Sequence, residues 1–106
     1  MDIEFEGYDG TRVRLTEERM RHIVVRHPQL EDREWLIVEA LVRPDEVYLS
    51  PAGEIHVLRK LVGDVSDYII VIFCREDGKA YIKTAYYTSL RRKERRYRRF
   101  RRLGLS

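Results

Sequence analysis

The longest apolar run of the chain, residues 68–74 (Tyr-Ile-Ile-Val-Ile-Phe-Cys), sets the tightest limit on what it can fold into. The run is far shorter than the roughly 20 apolar residues that a membrane-spanning helix needs, so we expect no membrane partner. Asp77-Gly78 follows it and is a strong hairpin signal, and residues 80–87 supply the returning strand. This part of the chain therefore predicts an antiparallel strand pair.

Two further hairpins are predicted nearer the N-terminus. Apolar and charged residues alternate over residues 3–6 and again over residues 12–15, and Asp9-Gly10 supplies a turn between them. Residues 47–49 and 55–58 flank a Ser-Pro-Ala-Gly turn. The chain thus carries an N-terminal hairpin and four later strands joined by short turns.

Two helices are predicted between these hairpins. Thr16 is a suitable N-cap for a helix that runs to about His27 and ends before Pro28. A second helix covers roughly residues 31–42, and Pro44 stops it. Helices followed by strands in this order predict an α+β fold, with an N-terminal β-hairpin and two helices packed on one face of a four-stranded antiparallel sheet.

Composition places this fold in one small domain. The 106 residues fit a single domain, residues 1–90, followed by a basic arm, residues 91–106. Cys74 is the only cysteine, which rules out an internal disulfide. The N-terminal segment lacks the pattern of a signal peptide, so the expected location is cytoplasmic.

Charge is distributed unevenly along the chain. Residues 91–102 hold nine Arg or Lys against one Glu, a net charge of +8. The rest of the chain holds twelve basic against seventeen acidic residues, a net charge of −5. Blocks of one charge sign are usually interaction tails, and nucleic acid is the usual partner of a basic one. The arm can also continue as a helix from residue 89.

Several kinds of site are excluded by their missing motifs. The chain has no Gly-rich phosphate loop, no His-Glu-x-x-His pair and no cysteine pair, and its three histidines lack metal-ligand spacing. We therefore predict neither a metal nor a cofactor. The remaining His, Arg, Lys, Thr and Tyr side chains suffice to cleave RNA, in which the 2′-OH loses a proton and attacks phosphorus, and the leaving 5′-oxygen gains one. Arg and Lys suit the phosphate charge.

The first helix supplies two candidate histidines. His22 shares a polar face with Arg19 and Arg26, although a solvated face without function is the alternative. His27 lies on the apolar face at the helix end, where a buried histidine bonded to backbone is the alternative. The position of His56, in the middle of a strand, does not by itself indicate a role.

The last predicted strand supplies two side chains that could donate hydrogen bonds to a phosphate. Alternation places Thr84 and Tyr86 on one face, and Lys83 on the other with Ala85 and Tyr87. An ordinary strand end is the alternative, because Thr and Tyr are common in strands.

Six short motifs, in this order, resemble the barnase/EndoU/colicin/RelE-like nuclease superfamily, particularly its phage-associated and stand-alone toxin-like members. They are Leu-Thr-Glu-Glu-Arg at 15–19, His-Ile at 22–23, Arg-His-Pro at 26–28, Pro-Asp-Glu-Val-Tyr at 44–48, the strand 69–73 and Ile-Lys-Thr-Ala-Tyr at 82–86. The match covers roughly residues 12–88. Such proteins often end soon after the last strand with a glycine and an aromatic residue, whereas this chain enters its arginine-rich arm.

The resemblance implies a metal-independent endoribonuclease that acts on tRNA or mRNA, often within toxin–antitoxin systems, with an acidic antitoxin protein as a partner. Carried onto this chain, it implies catalytic roles for His22 or His27 and for Thr84 with Tyr86. Chemistry, more than alignment, adds the candidate RNA-binding cations Arg19, Arg26, Arg59, Lys83, Arg91, Arg92, Arg95, Arg96, Arg98 and Arg99.

Two other functions remain open at this point. A non-catalytic RNA- or ribosome-binding module would use the arm, whose Tyr97 and Phe100 offer stacking surfaces between the arginines. A protein-interaction role would use the arm to bind an acidic partner.

Overall fold

A computed structural model of the chain describes residues 2–63 and 66–105 and confirms the predicted α+β class. Its strands are β1 Ile3–Glu6, β2 Arg12–Leu15, β3 Glu46–Leu49, β4 Ile55–Lys60, β5 Tyr68–Glu76, β6 Lys79–Thr88 and β7 Arg101–Leu103. Its α-helices are α1 Glu17–Arg26, α2 Glu34–Val42 and α3 Leu90–Arg96. The strands form one sheet in the order β1-β2-β6-β5-β4-β3-β7.

The prediction of four antiparallel strands with helices on one face is wrong in detail. The described residues form a seven-stranded mixed sheet, because the N-terminal hairpin joins it through a parallel contact between β2 and β6. The arm adds the seventh strand, β7, which pairs antiparallel with β3. The arm also supplies a third helix, which lies on the face opposite α1 and α2.

The sheet is covered on both faces by separate apolar cores. On one face α1 and α2 bury Met20, Ile23 and Ile37 against the strands. On the other face, a group of sheet side chains is covered by Tyr97 and Phe100 of the arm, and we call it the arm-side core. Its sheet members are Tyr48, Leu58, Tyr68, Ile70, Ile72 and the half-buried Tyr86. Residues 68–73 are all buried, which explains why β5 is an unbroken apolar run.

The helix boundaries follow local capping. Thr16 is the N-cap of α1, as predicted, and its hydroxyl accepts a hydrogen bond from the Arg19 amide at 3.0 Å. Pro28 does not lead directly into the second helix but begins a 3-10 turn, Pro28–Leu30, so α2 starts three residues later than predicted. No helix in the described part of the chain has the length and apolar content needed to cross a membrane.

Helix α1 contacts the part of β6 that lies beyond its pairing with β2. Strand β2 pairs with β6 over residues 79–81, and the Arg19 guanidinium of α1 donates to the Lys83 carbonyl further along that strand, at 3.3 Å. A β-bulge lies at the same point, because Phe73 pairs with Ile82 but Ile72 pairs with Thr84. Lys83 is the extra residue, and bulges of this kind redirect side chains at the edge of a sheet.

Candidate active site

A cleft of about 800 Å³ opens between α1 and the β-bulge in the middle of β6. Helix α1 contributes three arginines and a histidine, β6 contributes Lys83 and Thr84, and Glu54 enters from the residue before β4. The full lining is Arg19, Arg21, His22, Ile23, Val25, Arg26, Glu54, Ile72, Lys83 and Thr84. The fold thus brings together five of the residues that the sequence singled out: Arg19, His22, Arg26, Lys83 and Thr84.

The cleft is positively charged, with one acid among its cations. Glu54 is paired with Lys83, since the ammonium group donates to Oε2 of the carboxylate. This hydrogen bond holds the pKa of Glu54 below its usual range and raises the pKa of Lys83. Glu54 is therefore ionised at neutral pH, and Lys83 is presented at the surface of the cleft.

His22 is the exposed imidazole of the cleft. It lies on α1 within one turn of both Arg19 and Arg26, because residues three and four apart share a helix face. A ring in this position is open to solvent and surrounded by groups that bind anions.

His27 and Tyr86 form a second pair beside the cleft. Their rings stack with 5.4 Å between centroids and 28° between planes. Partial burial and the neighbouring Arg26 lower the pKa of His27. Burial raises the pKa of Tyr86, whose hydroxyl is enclosed and has no hydrogen-bond partner within the described structure. The Arg96 guanidinium lies 5.6 Å from the Tyr86 ring centroid.

His56, for which the sequence indicated no role, is buried beside Glu54 of the cleft. Its side chain is 1% exposed, its Nδ1 lies 2.8 Å from the Tyr97 hydroxyl oxygen, and its Nε2 lies 3.9 Å from Oε1 of Glu54. Burial, reinforced by Arg96, lowers the pKa of His56 to about 4. The signal that points to it is the Glu-x-His spacing of Glu54 and His56, which puts both side chains on one face of a strand.

Arg59 lies away from the cleft, at the end of β4 next to α2. Its guanidinium pairs with Glu39 at 2.8 Å and donates to the Arg43 carbonyl at 2.6 Å. Both partners belong to α2 or to the residue that follows it, so Arg59 links α2 to the sheet.

The arm presents most of its cations to solvent. The six arm arginines named from the sequence, Arg91, Arg92, Arg95, Arg96, Arg98 and Arg99, are all exposed. Lys93 instead turns inward, pairing with Glu46 at 2.7 Å and lying over the Tyr68 ring. The arm is thus held by Lys93, by the rings of Tyr97 and Phe100 and by the pairing of β7 with β3, and its outer surface remains cationic.

The cleft does not offer the ligands of a metal site. In the described part of the chain, no three His, Cys, Asp or Glu side chains are grouped as they would be around a metal ion. The cleft carries one carboxylate among four cationic side chains, an arrangement that attracts anions and repels divalent cations.

Comparison with known proteins adds no relative. No known protein family, curated protein or solved structure matches this chain. Its function therefore has to be inferred from the geometry of the cleft.

Proposed function

We propose that this protein is a metal-independent endoribonuclease, which cleaves RNA by attack of a ribose 2′-OH on the adjacent phosphorus. One observation carries the proposal: an exposed imidazole, His22, shares a cleft with an ionised carboxylate, Glu54, and several cations. These are the groups that the reaction needs, namely two for proton transfer and others for the phosphate charge.

The cations of the cleft are suited to hold the scissile phosphate. Arg19 and Arg26 flank His22 on α1, and Lys83 projects from the bulge of β6. A phosphate that enters the cleft competes with Glu54 for Lys83, which would free the carboxylate to act. Thr84, the next residue of β6, adds a hydroxyl donor.

The proton transfers are assigned to the carboxylate and the imidazole that line the cleft. Glu54 is ionised at neutral pH and can accept the proton of the 2′-OH. The imidazolium form of His22 can donate a proton to the leaving 5′-oxygen, since histidine exchanges protons readily near neutrality. His27 and Tyr86 lie one residue beyond Arg26 and two beyond Thr84, and they remain the alternative proton-transfer pair.

The arm would bind the rest of a tRNA or mRNA substrate. Six exposed arginines along α3 and the turn after it can neutralise phosphates outside the cleft. The same cationic surface would attract an acidic antitoxin protein, in keeping with a toxin-like role in the cytoplasm.

Cleavage of labelled tRNA and mRNA in EDTA tests the proposal. His22→Ala and Glu54→Gln should each lower the rate about 100-fold or more, the usual contribution of a general acid or base. Glu31→Gln, which removes an exposed carboxylate outside the cleft, is the matched control and should leave cleavage unchanged. Cleavage that survives both cleft substitutions would contradict the assignment.

A second function, non-catalytic RNA binding, is favoured by the exposed arginines of the arm alone. It predicts that replacing Arg91, Arg92, Arg95, Arg98 and Arg99 by Gln strongly weakens binding and flattens the salt dependence of the affinity that remains, because each phosphate contact contributes to that slope. His22→Ala would then have no effect. Salt-dependent binding without cleavage by the wild type would favour this reading over the nuclease.

A further inference from the structure

The nitrogen Nε2 of His56 is a buried polar atom without a hydrogen-bond partner in the described structure. The imidazole is enclosed between the sheet and the arm, and its other nitrogen, Nδ1, is bonded to the Tyr97 hydroxyl at 2.8 Å. Buried polar atoms are nearly always satisfied, so an exception calls for an explanation. The nearest candidate partner is the Glu54 carboxylate, 3.9 Å from Nε2 and too far for a hydrogen bond.

The surroundings of His56 determine which nitrogen carries the proton. Burial opposes a positive charge on the ring most strongly, and Arg96 of α3 and Lys83 of β6 add to it; together they outweigh the attraction of Glu54, so the imidazole is neutral. A bare Nε2 lone pair facing the Glu54 carboxylate would be repelled by it, whereas an Nε2–H would be attracted. The Tyr97 hydroxyl can donate to Nδ1, which leaves the proton on Nε2 and directed at Glu54.

Glu54 has a reason to move toward that proton. It is held by Lys83, a residue that a bound phosphate would engage. From the proposed function, on which this inference rests, we infer that His56 is a positioning residue: its Nε2–H takes over the Glu54 carboxylate when RNA phosphate displaces that carboxylate from Lys83. Closing the gap from 3.9 Å to an ordinary hydrogen bond needs a shift of about 1 Å.

The arm is then part of the active site as well as an RNA-binding surface. Tyr97 and Phe100 pack edge-on against the His56 ring, with centroid distances of 5.5 and 5.0 Å. These contacts fix the plane of the imidazole, and the Tyr97 hydroxyl fixes its tautomer. Removal of that hydroxyl should lower turnover even though every arginine of the arm is retained.

Kinetics on the full-length protein separate this role from a structural one. His56→Leu and Tyr97→Phe should each lower kcat about tenfold with KM nearly unchanged, whereas His56→Gln, which keeps an N–H donor, should retain most of the activity. Tyr48→Phe is the matched control, because Tyr48 stacks on Tyr97 but its hydroxyl bonds Glu46. Equal losses in His56→Gln and His56→Leu, or in Tyr97→Phe and Tyr48→Phe, would overturn the inference.

A measurement that does not require turnover distinguishes its failure from failure of the nuclease proposal. Nitrogen NMR of His56 should show the Nε2–H tautomer, and titration with inorganic phosphate should shift the Nε2–H resonance as Glu54 changes partners. Glu54→Gln should weaken that shift. A proton on Nδ1, or a His56 signal indifferent to phosphate that binds, would overturn the inference. If the protein shows the shift but cleaves no RNA, the nuclease proposal is wrong and the Glu54–His56 contact still stands.

Discussion

The imidazole of His27 stacks on the ring of Tyr86, with 5.4 Å between the two centroids. The contact joins the end of α1 to the second half of β6, beyond the point where β2 stops pairing. It therefore connects α1 to the part of β6 that does not pair with β2.

Substitution of Tyr86 separates packing from chemistry. Tyr86→Phe keeps the ring stack and removes a hydroxyl that has no partner in the described structure, so the free energy of unfolding should change by less than about 0.5 kcal/mol. Tyr86→Ala removes the stack and should destabilise the protein by about 2 kcal/mol, since the ring is half-buried. Urea unfolding measures both. A cleavage rate that falls in the stable Phe variant would assign the hydroxyl a catalytic role.

Lys93 should anchor the arm. Burial opposes ionisation of Glu46, but hydrogen bonds from Lys93 and Tyr48 outweigh it and hold the pKa of Glu46 low. Lys93→Met leaves that carboxylate largely buried without its ammonium partner and should lower the free energy of unfolding by about 3 kcal/mol.

Two variants control this prediction. Adding Glu46→Gln to Lys93→Met removes the unpaired charge and should recover part of the loss. Arg95→Met, on the exposed side of the same helix, should change the free energy of unfolding by less than about 0.5 kcal/mol. A Lys93→Met variant as stable as Arg95→Met would show that the Lys93–Glu46 pair does not hold the arm, which leaves its aromatic residues and the pairing of β7 with β3.

Local signals predicted those parts of the fold that depend on neighbours in the chain. Thr16 as N-cap and Asp9-Gly10 between two alternating segments were recognisable because capping and turns need only a few adjacent residues. The apolar run of β5 was recognised as a strand. That it is buried on both faces depends on the arm, and no signal within residues 68–74 reveals what covers the second face.

The parts of the candidate site that are close together in the sequence were likewise predictable. His22 and Arg26 share a helix, and Lys83 adjoins Thr84, so each pair could be identified locally; their meeting in one cleft depends on where α1 crosses β6. The bulge at Lys83 was not predictable, and it broke the alternation assumed from the sequence, since Ile82 and Ala85 lie in the same core. Glu54 and His56 could not be identified in this way, because their contacts with Lys83 and Tyr97 are long-range.

His56 should make the protein sensitive to acid. Its pKa falls from 6.5 to about 4 on folding, so the unfolded chain takes up a proton at a pH where the folded protein does not. The stabilisation is present above the unfolded pKa and is lost as pH falls from 6.5 toward 4. Between pH 7.5 and 4.5 this group should contribute a loss of about 2 kcal/mol.

Urea unfolding at these two pH values measures the effect. The difference between them should be smaller in His56→Gln than in the wild type, because the variant lacks the titrating group. Wild-type and His56→Gln proteins with the same pH dependence would show that folding does not lower the pKa of this imidazole.

Deletion of the arm should unfold more than the arm. A chain that ends at Ser89 exposes the arm-side core and loses the burial of Tyr97 and Phe100 on it. Two large apolar side chains contribute about 4 kcal/mol together, a large part of the stability of a small domain. The truncated protein should therefore bind a hydrophobic dye and unfold at a much lower urea concentration than the full chain.

The full-length chain with Arg91, Arg92, Arg95, Arg98 and Arg99 replaced by Gln should bind no dye and keep its unfolding midpoint, because those side chains are exposed. A truncated chain that unfolds at the wild-type midpoint would show that the arm is a separable tail. If the midpoint falls, any loss of cleavage on truncation reflects the exposed arm-side core next to Glu54 and not lost RNA contacts. Only the arginine variant then measures the contribution of the arm to RNA binding.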